Sequence, residues 1–150
     1  LLPETTARLA RHPRIAGIKE AVGDAERVRG LVELCGDGFT VLSGDDGSCL
    51  RSLRLGARGV VSVASNAAPA LMHRLCAAAL GGDFETAEQL DARLQPLFDA
   101  LSFESNPIPV KWSVYELGLA GPGIRPPLAE LDPAHREALR RVLERLGLVH

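Results

Sequence analysis

A single lysine, Lys19, stands at the end of a short apolar segment and just before a predicted turn. Residues 15–18 are Ile-Ala-Gly-Ile, which is typical of a strand buried on both faces, and Gly23 and Asp24 predict a turn and a helix cap. α/β barrels place catalytic groups at the carboxyl ends of such strands. A lysine amine that loses its solvation there is more easily deprotonated, and the neutral amine is a nucleophile. On position alone, an exposed lysine without a chemical role is the more frequent case.

Further polar groups follow the next predicted strand, which covers residues 39–43. Gly44, Asp45 and Asp46 form a predicted turn there. Because the carboxyl ends of parallel strands meet at one edge, we expect this turn to lie close to Lys19. The aspartates could order the mouth of a site or bind an ammonium group, although turn formation and helix capping are the commoner roles of Asp. No third ligand or histidine lies nearby in the sequence, so a metal site is not predicted.

The order of predicted elements indicates an α/β fold. Strands at 15–19, 39–43 and 59–63 are each followed by a helical pattern, which predicts parallel strands joined by helices. From residue 83 onward only helices are predicted. We therefore divide the chain into residues 1–82, with three βα units, and residues 83–150, a helical extension.

Composition excludes some classes of partner. The chain has 150 residues, is 46% hydrophobic and carries a formal net charge of −2, so neither nucleic acid nor an anionic membrane is an expected partner. No apolar run approaches membrane-spanning length. Three cysteines without metal-ligand spacing favour a reducing cytoplasm and core packing. The chain starts at Leu1 and its only methionine is Met72, so we expect either that it is part of a longer protein or that preceding residues were not included.

Four motifs carry a family resemblance. They are Gly-Ile-Lys-Glu-Ala at 17–21, Leu-Ser-Gly-Asp-Asp at 42–46, Gly-Val-Val-Ser-Val at 59–63 and Ser-Asn-Pro-Ile-Pro-Val-Lys-Trp at 105–112. In this order and spacing they resemble the dihydrodipicolinate synthase family, within the pyruvate-dependent class I aldolases. That family folds as a (β/α)8 barrel with a C-terminal helical extension. The resemblance implies that this chain is the last three βα units of such a barrel, followed by the extension.

The resemblance also implies an activity. Lys19 matches the lysine that forms a Schiff base with pyruvate, whose enamine then condenses with L-aspartate semialdehyde on the diaminopimelate route to lysine. No cofactor beyond this covalent imine is implied. Members of the family are commonly homo-oligomers, assembled as dimers of dimers, so a homotetramer in the cytoplasm is expected for the whole protein.

Other residues take roles from the same resemblance. Val61 would contact pyruvate through its backbone carbonyl, and Gly44 would allow a close approach. Val61 could also be a β-branched residue filling a buried strand, and both roles can hold at once. Asn106 and Lys111 belong to an architectural motif. Lys111 is disfavoured as an alternative Schiff-base lysine because it falls in a predicted helix.

The chain also departs from the family pattern. The family's catalytic tyrosine, paired threonines and carboxylate-binding arginine come from earlier strands, and the only tyrosine here, Tyr115, lies in a predicted tail helix. We therefore expect the 150-residue chain alone to be inactive and prone to associate through its open strand edges. Two alternatives remain open: a sister lyase acting on a sugar acid, and a catalytically silent half-barrel subunit. A phosphate-binding module is weaker, because the turn at 44–47 lacks the glycine spacing and lysine of a phosphate loop.

Overall fold

Helices and short parallel strands alternate in the first part of the chain, and helices alone form the rest. The computed structural model describes residues 1–149. Its elements are α1 (Pro3–Leu9), β1 (Gly17–Glu20), α2 (Ala25–Cys35), β2 (Thr40–Ser43), α3 (Cys49–Arg54), a 3-10 helix (Ala64–Asn66), α4 (Pro69–Leu80), α5 (Phe84–Ala100), α6 (Ile108–Glu116) and α7 (Pro133–Arg145).

The two strands pair in parallel, in the register that sets Gly17 beside Thr40 and Glu20 beside Ser43. Gly17 is required at the start of this ladder, since a Cβ there would lie 2.3 Å from the carbonyl oxygen of Thr40. The ladder is extended at its far end by a 2.8 Å hydrogen bond from the Gly44 amide to the Glu20 carbonyl. Each strand has four residues, one fewer than the predicted segments. The carboxyl ends of the two strands lie side by side.

The third predicted strand, over 59–63, is present at one position only. Val60 forms an isolated parallel bridge with Ser43, through hydrogen bonds from Ser43 to the Gly59 carbonyl at 2.9 Å and from the Val61 amide to the Ser43 carbonyl at 2.8 Å. Pairing stops there because β2 ends at Ser43, which leaves no further strand residue opposite, and the 3-10 helix begins at Ala64. The prediction of three full strands is thus confirmed only in part.

The chain divides into two compact units by its contacts. One comprises residues 1–62 with 75–88, and the other comprises 63–74 with the chain from 89 onward. Each of these units combines two separate segments of the chain. The predicted boundary between residues 82 and 83 instead divides the sequence into two continuous segments. The predicted boundary stays a prediction.

The first unit is built by packing α2 onto the strand pair. Asp24 caps α2, accepting a 3.0 Å hydrogen bond from the Glu26 amide as the sequence predicts. Leu31 on this helix is buried against Phe39 and Val41, so the helix covers one face of the sheet. At the other end of the unit, α3 is fixed to the start of α5, where the Arg54 guanidinium lies 5.0 Å from the ring centre of Phe84 and pairs with Glu88.

The second unit has a core of leucines. Asp132 caps α7, accepting a hydrogen bond from the Ala134 amide at 2.8 Å. The helix α6 begins at Ile108 and has Pro109 in its first turn, where proline is tolerated. No helix within residues 1–149 combines the length and the apolar character needed to cross a membrane. The fully buried leucines of this unit are Leu94, Leu97, Leu131, Leu139 and Leu143.

One polar group in the second unit is only partly satisfied. The Asp91 carboxylate accepts a 3.2 Å hydrogen bond from Gln95, while its other oxygen is buried with no hydrogen-bond partner among residues 1–149. Burial raises the pKa of Asp91, and the bond from Gln95 only partly offsets this effect. The ionised form is therefore disfavoured in the folded protein.

We predict that Asp91→Ala raises the free energy of unfolding at pH 7. A raised folded-state pKa means that the stability contribution of Asp91 is fully present below its unfolded pKa and is lost as the pH rises through the folded pKa. The advantage of the variant should therefore shrink as the pH is lowered toward the ordinary range of Asp. Urea unfolding between pH 3 and pH 8 measures this; the pH range is set by ordinary carboxyl pKa values of about 4.

The control is Asp99→Ala, an exposed position on the same helix α5 with the same change in helix propensity. A gain that is equal for both variants, or independent of pH, would show that burial of the Asp91 carboxylate is not the cause.

Candidate functional site

Lys19 is the third residue of β1 and pairs with Leu42. Side chains alternate along a strand, so Lys19 faces away from the side occupied by Ile18 and Glu20. The Lys19 side chain is exposed, whereas Glu20 is only 5% exposed. The strand therefore presents an amine on its open face, next to its carboxyl end, as the sequence predicts for this position.

Gly44 provides the space in which the Lys19 side chain lies. A Cβ on Gly44 would fall 2.6 Å from Cε and 2.8 Å from Cγ of Lys19, and 2.9 Å from Cβ of Ala21. The lysine side chain thus crosses directly over the backbone where β2 ends. The structure brings Lys19 and Gly44 together. The sequence did not reveal that the group approaching the Gly44 backbone is the Lys19 side chain.

Asp45 and Asp46 follow Gly44 but have different surroundings. Asp45 is exposed, and one oxygen of its carboxylate accepts hydrogen bonds from the Ser48 amide at 2.8 Å and the Ser48 hydroxyl at 2.6 Å. These bonds are those of a turn-forming aspartate. Asp46 is buried, and its carbonyl accepts a 3.2 Å bond from the Cys49 amide at the start of α3. A role of either residue at the mouth of a site stays a prediction.

Val61 lies beside the end of β2, where its amide bonds to Ser43. Val61 is 45% exposed among the described residues. The backbone at this position belongs to the same strand edge as Gly44. The predicted contact of its carbonyl with a substrate is not tested by these distances.

A buried ion pair next to Lys19 was not predicted. One oxygen of the Glu20 carboxylate accepts from the Val22 amide at 2.9 Å, and the other pairs with Arg27 of α2. Arg27 also donates to the Leu1 carbonyl at 2.7 Å. Breaking such a pair is costly because it leaves a buried charge uncompensated. The pair therefore fixes the loop between β1 and α2, immediately after the lysine.

The architectural motif lies in the other unit. Asn106 precedes a cis peptide bond to Pro107, and Lys111 is a partly buried residue of the helix α6. Tyr115 is on the same helix, as predicted. Within residues 1–149, no group of three or more His, Cys, Asp or Glu side chains is arranged to hold a metal ion.

The chain has the parallel strands and connecting helix of an α/β protein. Lys19 and Gly44 lie together near the carboxyl ends of these strands, where such proteins commonly have their sites. Residues 1–146 match the dihydrodipicolinate synthetase family, and the chain belongs to it.

Similar proteins agree with this assignment. The 4-hydroxy-tetrahydrodipicolinate synthase of Halorhodospira halophila is 47% identical over 149 residues, which cover 99% of this chain and 50% of that protein. The enzyme of the same name from Acidithiobacillus ferrooxidans is 52% identical over 145 residues, covering 97% of this chain and 50% of that one. The chain therefore spans about half the length of these relatives.

Solved structures share the fold. The dihydrodipicolinate synthase of Acinetobacter baumannii, described as chloride-inhibited and in complex with pyruvate, superposes with a TM-score of 0.94 at 41% identity. The match covers 98% of this chain and 50% of that one. The chain thus has the fold of half of a synthase of this family.

We predict that Gly44→Ala lowers the free energy of unfolding by about 1–3 kcal/mol, since the added methyl must displace Lys19 and Ala21. Reductive methylation with carbon-13 formaldehyde gives one NMR signal for each of the two lysines, Lys19 and Lys111. The variant should shift the Lys19 signal and leave the Lys111 signal in place.

Gly38→Ala is the matched control, because a Cβ at Gly38 meets no atom within 4 Å. Its stability should stay within about 0.5 kcal/mol of the parent. Equal stability of the two variants, together with an unmoved Lys19 signal, would contradict the packing described for Gly44.

Proposed function

We propose that Lys19 is the nucleophile of a 4-hydroxy-tetrahydrodipicolinate synthase, a lyase that condenses pyruvate with L-aspartate semialdehyde. The observation that carries this proposal is the amine of Lys19 held at the carboxyl end of β1, across Gly44, in a chain of the dihydrodipicolinate synthetase family. Relatives 47% and 52% identical carry the synthase name. This favours the synthase over a sister lyase acting on a sugar acid.

The chemistry follows from the amine. The neutral amine of Lys19 attacks the keto carbon of pyruvate, and loss of water gives an imine. Its protonated form accepts electrons from the neighbouring methyl group, so a methyl proton is lost and an enamine forms. The enamine carbon attacks the aldehyde, and the amino group of the second substrate then closes the ring and releases the lysine. We infer that no cofactor is needed beyond this covalent imine.

The surrounding residues position the groups that react. Because Gly44 has no side chain, the Lys19 side chain can lie across the backbone at the end of β2. The ion pair of Glu20 with Arg27 keeps the strand end from moving, and a held nucleophile reacts faster than a mobile one. In this proposal the Val61 carbonyl contacts bound pyruvate, and Asp45 and Asp46 order the mouth of the site.

We infer that the chain supplies the last three βα units of a (β/α)8 barrel and its helical extension. The coverage of half of each relative supports this inference. The proton-relay tyrosine, the threonines and the arginine of the family would then come from the other half. The whole protein is proposed to be a homo-oligomer, a dimer of dimers, and the three cysteines, none of which forms a disulfide within residues 1–149, favour a reducing compartment such as the cytoplasm.

Trapping of the imine tests the role of Lys19. The chain is mixed with the N-terminal half of the Halorhodospira halophila relative, and pyruvate and cyanoborohydride are added. Peptide mass mapping should find the reduced pyruvyl adduct on Lys19. The amine of Lys111, on a helix, is the internal control and should stay unmodified.

Lys19→Arg keeps the positive charge but removes the nucleophilic amine, so the adduct should disappear. A folded mixture that gives no adduct, or gives it on Lys111, would rule out the proposed chemistry.

The chain alone is expected to be inactive. Condensation of pyruvate with L-aspartate semialdehyde should be at background without the N-terminal half and should appear when that half is added. Turnover by the chain alone at the rate of the full-length relative would contradict this expectation.

A second candidate is a catalytically silent half-barrel that acts as a subunit, because the only tyrosine of the 150 residues, Tyr115, lies in α6 and not at a strand end. It predicts that the two halves associate but give neither adduct nor turnover. The trapping and complementation experiments therefore separate the two functions.

A further inference from the structure

A cavity lies between the helices α5 and α7 of the second unit. Its volume is about 240 Å³. Sites for drug-sized ligands have volumes of about 300–1,000 Å³, so an occupant of this cavity must be small. The cavity is open to solvent on the side of α5, where its lining residues are exposed. Its lining residues are Ala92, Arg93, Pro96, Val142, Arg145 and Leu146.

The floor of the cavity is apolar. Ala92 and Pro96 lie one turn apart on α5, and Val142 and Leu146 lie one turn apart on α7. Residues spaced by four positions share one face of a helix, so each helix contributes an apolar pair to the cavity. Leu146 is buried and Val142 is half-buried. A small apolar group on this floor would be removed from water, which is favourable.

Two guanidinium groups lie beside this floor. Arg93 of α5 donates a 3.2 Å hydrogen bond to the carbonyl of Leu146, so its side chain reaches toward the end of α7. Neither Arg93 nor Arg145 pairs with a carboxylate of residues 1–149. A guanidinium has five N–H donors, so both groups keep donors for a ligand.

The unpaired state of Arg145 differs from that of its neighbours on the same helix. The other arginines of α7 each pair with a glutamate: Arg136 with Glu130, Arg140 with Glu144 and Arg141 with Glu137. The one arginine of α7 that lines the cavity is thus the one without such a partner in the described part of the chain. Guanidinium groups bind carboxylates through paired N–H donors, so the chemistry of the cavity favours a carboxylate.

The backbone of α5 sets the orientation of such a ligand. Pro96 lies inside this helix and has no N–H, so the carbonyl of Ala92 lacks the donor that residue i+4 supplies in a regular helix. Both residues line the cavity. A carbonyl oxygen carries partial negative charge and disfavours a carboxylate beside it. The anionic end of the ligand is therefore directed to the arginines.

We propose that this cavity is a binding site for small carboxylates with an apolar body. The carboxylate pairs with the guanidinium groups of Arg93 and Arg145, and the body packs on the apolar floor between α5 and α7. The site lies in the helical part of the chain, and the inference is independent of the proposed synthase activity.

Calorimetric titration with phenylacetate tests the site. This probe has a carboxylate on an apolar ring, and 2-phenylethanol is the matched control, in which a neutral hydroxymethyl group replaces the carboxylate. We expect saturable binding of phenylacetate to one site. Binding of 2-phenylethanol should be about tenfold weaker or absent, because it cannot pair with the arginines.

Three variants locate the bound probe. Arg145→Gln should weaken the binding of phenylacetate about three- to tenfold, because it removes one charged donor group. Arg141→Gln, an exposed arginine of the same helix outside the cavity, should leave the affinity unchanged. Ala92→Leu should abolish binding, because the longer side chain fills the cavity. Ala92 is exposed and both residues are good helix formers, so this variant should keep the fold.

Lys19→Arg separates this site from the candidate active site. Phenylacetate has no keto carbon and cannot form an imine, so the variant should bind it with the affinity of the parent. Loss of binding in Lys19→Arg would place the probe at the strand ends and overturn the proposal. The titration is repeated in the mixture with the N-terminal half of the Halorhodospira halophila relative. Binding should persist there, and its loss would show that the other half covers the cavity.

Other results would also overturn the proposal. They are no saturable binding at millimolar phenylacetate, equal binding of 2-phenylethanol, and an unchanged affinity in both Arg145→Gln and Ala92→Leu. Sedimentation velocity tests a second copy of the chain as the occupant. Self-association that is lost in Ala92→Leu, without binding of phenylacetate to the parent, would make this face an interface between copies instead.

Discussion

The packing of the Lys19 side chain across the backbone of Gly44 is the contact on which the candidate site depends. The distance of 2.6 Å from a hypothetical Cβ to the lysine Cε means that any side chain at position 44 would have to displace Lys19. Parallel pairing of β1 and β2 brings the two residues together, and the bond from the Gly44 amide to Glu20 holds them there. A site of this kind is defined as much by an absent side chain as by the amine itself.

Around this contact, charges are arranged on opposite faces of one strand. Lys19 is exposed on the open face, and its neighbour Glu20 is buried with Arg27 on the face that packs against α2. Burial of a charge is tolerated when a partner and hydrogen bonds compensate it, and Glu20 has both. The pair thus ties the loop after the lysine to the helix, which supports the proposed role of Lys19.

Much of this arrangement could be predicted from sequence because the signals are local. The apolar run before Lys19, the caps at Asp24 and Asp132, and the glycine after β2 each act within a few residues, and the structure has all of them. The third strand could not be predicted correctly, since the extent of pairing at Val60 depends on where β2 ends.

The close contacts of the site were also beyond the reach of sequence patterns. The pairing of Glu20 with Arg27 joins residues on different elements, and no periodicity marks it. Likewise, the pattern placed Gly44 near a site but gave no indication that the lysine lies across it.

The absence of a side chain at Gly17 also affects which charge, that of Lys19 or that of Glu20, lies on the open face of β1. The position that the Thr40 carbonyl approaches accepts only a residue without a Cβ, and this requirement favours the register that places Gly17 there. Side chains alternate along a strand, so a slip by one residue would turn every one of them to the opposite face. The open face would then carry the carboxylate of Glu20, and the amine would be directed at α2. A single hydrogen atom in place of a methyl group thus decides whether this edge of the sheet offers a nucleophile or an acid.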